Sequence, residues 1–162
     1  MKTALIKLKT NPLGQMIWIA IMCVLHLLLF KSKVNYDIAV WKRIVSLLFA
    51  IIVSLPVHEL IHLVFMKAFS KENVKIEFAR DPLGIPGLRT ILPDKVTKVQ
   101  QFIIFVAPLF CITIVLDMIF AFCGKIELLF FIIAMCNSAG CYYDMIDAAI
   151  TICKEEVESD TV

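Results

Sequence analysis

His58, Glu59 and His62 are the residues of this chain whose types and spacing point most directly to chemistry. On a helix, positions four apart differ by about 40° in rotation and about 6 Å in rise, so both imidazoles can face one ion while Glu59 flanks them. Such a pair of histidines with a carboxylate between them is a donor set for zinc together with a base, and the chemistry implied is metal-assisted hydrolysis. Chance is a poor account: a chain with 3 His in 162 residues is expected to show the pattern about 0.002 times. The bland alternative is a polar packing or proton-relay cluster. The setting weighs against it, because the pattern lies inside an apolar run from Ile44 to Phe69. An ionisable group at the centre of a membrane helix costs roughly 2.5–3.5 kcal/mol, so three within a turn and a half call for a compensating partner, and a divalent cation is one.

The elements that must position these residues are set by composition. Hydrophobic residues make up 60% of the chain and the mean hydropathy is +0.89, which places it in the membrane class as one domain spanning residues 1–162. A net charge of +2, with basic residues at span flanks, carries no nucleic-acid signal. The six cysteines at 23, 111, 123, 136, 141 and 153 contain no C-x-x-C pair, so a disulfide framework is not expected.

Four apolar runs reach the length needed to cross a bilayer: Leu13 to Phe30, Ile44 to Phe69, Phe102 to Phe122 and Ile126 to Cys153. The expected fold is all-α, a polytopic bundle of four transmembrane helices. Lys2, Lys7 and Lys9 before the first run resemble the start of a signal peptide, but with no small-x-small site before Lys31 an uncleaved first span is the better reading. Pro108 should bend the third span, and Gly124-Lys125 leaves room for a tight hairpin into the fourth. Basic residues set the orientation. With the N-terminus inside, Lys2, Lys7, Lys9, Lys67, Lys71, Lys75, Arg80, Arg89, Lys95, Lys98 and Lys154 collect in the cytoplasm, against Lys31, Lys33, Lys42, Arg43 and Lys125 outside, which favours N-in and C-in. In the cytoplasmic loop from Ser70 to Val99, Val74, Ile76 and Phe78 alternate with Lys75 and Glu77 before Asp81-Pro82 and Gly84-Ile85-Pro86-Gly87. That pattern allows a small β-hairpin, whose edge could hold an extended substrate, but so few alternating residues favour a plain loop.

Catalytic zinc takes three protein ligands and keeps a position for water, so a third donor must come from elsewhere. The second and fourth spans cross in the same direction, and Leu60 and Asp144 each lie 10 residues before the end of their span, at Ser70 and Lys154. At helical rise both sit about 15 Å from the same side, so Asp144 matches the histidines in depth. Asp147, one turn further along, and Cys141, three residues earlier, are the alternatives. On the antiparallel third span that depth falls near Ala107 and Pro108, while Asp117 lies near the opposite end. His26 reads by default as a hydrogen-bonded packing histidine.

Two stretches carry a family resemblance. His58-Glu59-Leu60-Ile61-His62 and Asn137-Ser138-Ala139-Gly140-Cys141-Tyr142-Tyr143-Asp144, 13 residues in all, resemble the motifs of integral-membrane zinc proteases, both the site-2 protease type and a small bacterial family of membrane zincin peptidases. The chain lacks the Pro and the Asp-Gly ending of the site-2 type, and its Asn-to-Asp spacing is one residue shorter, so the smaller family is the closer fit. The resemblance implies Zn²⁺ on His58, His62 and Asp144, Glu59 as catalytic base, and Asn137 binding substrate or supporting a ligand. It implies a bacterial plasma-membrane peptidase acting on a membrane-associated protein or peptide within or beside the bilayer. Ordinary interhelical hydrogen bonding is an equal reading of Asn137. The competing class is a non-catalytic membrane protein: a metal sensor, a carrier, or an inactive homologue that binds a partner helix. Glu59 between the histidines favours hydrolysis, whereas His26, Asp117 or Cys141 lining a path would favour transport. A bundle with no metal is the third possibility.

Overall fold

In the computed structural model, which describes residues 2–35, 37, 39–70, 75–80, 86–92 and 96–153, the apolar runs form helices. A short helix α1 (Lys2–Lys9), not anticipated from the sequence, precedes α2 (Pro12–Phe30). Between them the Asn11 side chain accepts the Leu13 N–H at 3.0 Å and Pro12 takes the first helical position, where its missing N–H costs nothing. The second span is α3 (Val40–Phe69). The third opens on a capping box, in which Thr97 Oγ1 accepts from the Gln100 N–H and Gln100 Oε1 accepts from the Thr97 N–H. It then runs as α4 (Lys98–Pro108), a π-helical segment Leu109–Ile114, and α5 (Val115–Phe122).

The fourth run differs from the expectation of one helix. It is α6 (Leu128–Gly140) followed by α7 (Tyr142–Cys153), bent by 43° at Cys141, whose φ of −70° and ψ of 5° interrupt the helix. Gly140 just before the break is the residue type that weakens a helix there. The bend has a packing consequence: α6 lies against α3, whereas α7 is carried over to α4. Among the described residues three helices are long and apolar enough to cross a membrane, four if the bent pair is one span. Their outward faces are apolar, with Leu28 and Ile52 each 68% exposed, which fits a lipid-facing surface rather than an aqueous one.

The loop between the second and third spans is not plain. Strands β2 (Lys75–Arg80) and β3 (Pro86–Ile91) pair antiparallel from Lys75 with Ile91 to Arg80 with Pro86, and β3 lies against α3. Pairing along six residues outweighs the weak local pattern that favoured a loop. Val74, the turn residues 81–85, and Lys71, Lys95 and Lys154 of the orientation argument lie outside the described residues. At the other end of the bundle, the two-residue strands β1 (Val34–Asn35) and β4 (Ile126–Glu127) pair in parallel. Beside them Lys33 Nζ donates to the carbonyls of Phe120 and Ala121, placing a cation on the last turn of α5.

Along α3 the buried residues are Ala50, Ser54, His58, His62 and Met66, one stripe with a spacing of four. Its ends join two apolar clusters, Ala50 with Phe30, Phe120 and Phe131, and Met66 with Val96 and Ile104. The histidines occupy the polar stretch between them. The N-terminal helices clamp the start of α7: Tyr142 Oη donates to the Leu8 carbonyl at 2.8 Å, Tyr143 Oη to Gln15 Oε1 at 2.6 Å, and Lys9 Nζ to both carboxylate oxygens of Asp147 at 2.6 Å. A Cβ on Gly14 would run into the Tyr142 hydroxyl and the Leu8 side chain. Gly14→Ala should therefore cost about 1–3 kcal/mol through overpacking, read as a lower midpoint of thermal unfolding in detergent. An unchanged midpoint would show that the clamp gives way freely.

Candidate metal centre

The metal-facing geometry begins with the hydrogen bonds on the far side of each imidazole. His62 Nδ1 lies 2.9 Å from the carbonyl oxygen of Ile104. A carbonyl only accepts, so Nδ1 carries the hydrogen and Nε2 keeps its lone pair. His58 Nδ1 lies 3.0 Å from Asn137 Oδ1. The Asn137 amide is oriented by its other end, where Nδ2 donates to the Pro108 carbonyl and to Thr113 Oγ1, each at 2.9 Å, and Thr113 in turn donates to the Ala134 carbonyl at 3.3 Å. Oδ1 is thus the acceptor, and His58 also carries its hydrogen on Nδ1.

The two Nε2 atoms then face each other at 3.2 Å. Asp144, in the first turn of α7, meets them with Oδ2 at 2.9 Å from His58 Nε2 and Oδ1 at 3.4 Å from His62 Nε2. Yet among the described residues Asp144 Oδ2, buried as it is, makes no hydrogen bond. One ligand atom from each of His58, His62 and Asp144 lies within 4.8 Å of the others. Two imidazole lone pairs and a carboxylate converging without a donor repel one another, and burial makes that repulsion expensive. A divalent cation resolves it, and nitrogen, nitrogen and oxygen are ligands that zinc accepts. On this test the residues fit zinc.

Among the described residues no other group of three such side chains is close enough to hold an ion. Asp147 is held by Lys9 and takes no part. Cys141 Sγ sits 4.0 Å from His58 Nδ1, behind the ring and away from the convergence. His26 donates from Nδ1 to the Met22 carbonyl at 2.8 Å, and its Nε2 lies 3.5 Å from Asp117 Oδ1, between the rings of Phe30 and Phe131. That pair forms a separate contact between α2 and α5. Glu59 is half-buried on α3, between buried His58 and exposed Leu60. Of the three donors left open by the depth count along the spans, Asp144 is the one the structure brings to the histidines. Thr113 and the carbonyls of Ile104 and Pro108 escape any reading based on side-chain types, although Pro108 at the same depth on the third span was a signal.

Metal analysis of purified variants separates the carboxylates. Asp144→Asn should lose zinc while Asp147→Asn keeps it, and equal loss in both would remove the distinction. Asn137→Ala, which takes away the partner behind His58, should weaken zinc binding by roughly 10–100-fold.

Residues 51–158 match the family model described as "DUF3267: Putative zincin peptidase". No curated protein and no solved structure gives a significant match.

Proposed function

The chain belongs to this zincin peptidase family, and from that premise we propose that it is a zinc-dependent, membrane-embedded peptidase that hydrolyses peptide bonds within or beside the bilayer. The supporting observation is the convergence of two Nε2 lone pairs and a carboxylate whose buried Oδ2 makes no hydrogen bond among the described residues, on helices apolar enough to span a membrane. His58, His62 and Asp144 would hold the ion. Bound there, zinc supplies Lewis acidity toward a substrate carbonyl and toward water.

The chain's own residues account for the rest. Glu59, next to one ligand and three residues from the other, takes a proton from the attacking water and passes it to the departing amine. His62 and His58 are held in one tautomer each by Ile104 and Asn137, which directs both Nε2 lone pairs to the ion they would bind and leaves proton transfer to Glu59. Two neutral imidazoles and one carboxylate give the ligand set a charge of about −1, which with the Glu59 carboxylate offsets a divalent ion in a medium that penalises net charge. A peptide bond in an intact membrane helix is hydrogen-bonded and shielded, so the substrate class is one that unwinds locally at the bilayer edge. The distribution of basic residues supports an N-in, C-in orientation with the site nearer the cytoplasmic face, and the resemblance to the small bacterial zincin family supports a bacterial plasma membrane. The transport reading loses support, since Cys141 lies behind His58 and the His26–Asp117 pair lies apart from the three ligands, between α2 and α5.

Glu59→Gln should retain one zinc per chain and lower cleavage of a quenched fluorescent hydrophobic peptide by about 10²–10⁴-fold. Stripping the wild-type chain with a chelator should stop cleavage, and zinc should restore it. Undiminished cleavage by Glu59→Gln would remove Glu59 from its role, and undiminished cleavage without zinc would remove the zinc mechanism.

A further inference from the structure

The carbonyl that orients His62 is made available by a residue with no side-chain polarity. In an α-helix the carbonyl of one residue accepts from the N–H four residues later. For Ile104 that donor would be residue 108, which is proline and has no N–H. The next amide does not substitute, because the Leu109 N–H turns to the Val106 carbonyl. Ile104 is fully buried in the Met66 and Val96 cluster. Its carbonyl would therefore remain unpaired in an apolar interior, which is costly unless a donor arrives from another helix. That donor is His62 Nδ1–H at 2.9 Å.

We propose that Pro108 is a positioning residue of the metal centre: by withholding an amide hydrogen from Ile104, it leaves a carbonyl that fixes His62 as the Nδ1–H tautomer with Nε2 turned toward the ion. The proline's own carbonyl accepts from Asn137, so the same residue also helps orient the partner of His58. Both imidazoles are thereby referred to one turn of α4. The π-helical segment that follows, Leu109–Ile114, is where the helix absorbs the disturbance while placing Thr113 against Asn137. A proline acting only as a bend would leave its freed carbonyl to water or to a hydroxyl of its own helix. Here a histidine from α3 takes it.

This inference rests on the zinc reading of the site, and the test separates the two. Zinc affinity is measured by competition with a chelating dye in detergent, and the visible spectrum of the cobalt-substituted protein reports ligand geometry. Pro108→Ala restores an N–H able to close on the Ile104 carbonyl and displace His62. Its zinc affinity should fall by roughly 10–100-fold, with an altered cobalt spectrum. Replacing Pro108 by lactate, the α-hydroxy analogue of alanine, removes the ring but still offers no N–H, and should bind zinc close to wild type. Wild-type affinity in Pro108→Ala would overturn the proposal. Equal weakening in both variants would overturn it too, since the ring and not the missing hydrogen would then matter. A wild-type chain that binds no zinc would sink the zinc reading itself and this inference with it.

Discussion

Three acceptor groups pressed together in a low-dielectric interior are the constraint around which this bundle is organised. Imidazole lone pairs at 3.2 Å and a carboxylate at 2.9 Å repel when nothing lies between them. In water such repulsion is screened within a few ångströms, but among apolar helices it is not. The arrangement is held by what lies behind the two imidazoles and by where the carboxylate starts. His58 is tied to an amide with its own donors committed and His62 to a backbone oxygen, while Asp144 is placed by the first turn of α7.

The break at Cys141 belongs to the same design. In a straight fourth span Asp144 would sit in mid-helix, with every backbone amide near it already paired. Starting α7 at Tyr142 puts the carboxylate in a first turn, where the helix dipole favours negative charge by about 0.3–1 kcal/mol. It also divides the labour of the span. One half packs on the histidine helix and supplies Asn137, while the other turns to α4 and is clamped from outside by Lys9, Leu8 and Gln15. The segment that must meet the ion is held on both sides of the bend.

How much of this was legible depends on what a sequence records. Side-chain type and spacing are explicit, so the histidine pair, the spans and the depth of Asp144 could be read by counting residues. The β2–β3 hairpin was legible only in outline, because six alternating residues support a strand about as well as a loop until a partner strand is in place. The Lys9 to Asp147 contact joins residues 138 apart and depends on α1 folding back along the bundle, which no local pattern encodes. That contact removed the nearest rival ligand. The carbonyls of Ile104 and Pro108 are invisible as letters, since every residue has one. What distinguishes them is an absent donor, and proline is the one residue type that announces it.

The site is packed behind its rings, while two of its three donors keep some exposure, and exposure of that kind bears on whether a zinc site is structural or catalytic. Behind the rings Asn137, Ile104 and Cys141 are buried and packed. The His58 and Asp144 side chains retain 11% and 16% of their surface, while His62 keeps 4%. A structural zinc site closes its fourth position with protein, whereas a catalytic one leaves it for solvent. Three donors with residual exposure on two of them fit the second kind. Glu59, the proposed base, is half-buried, one residue along from buried His58 and one before Leu60, which is 55% exposed on the outer face of α3. A carboxylate buried deeper on the histidine stripe would be a fourth acceptor in an already crowded centre, and one turned fully outward would face lipid. The half-buried position between them keeps Glu59 off the line of the ligands on α3.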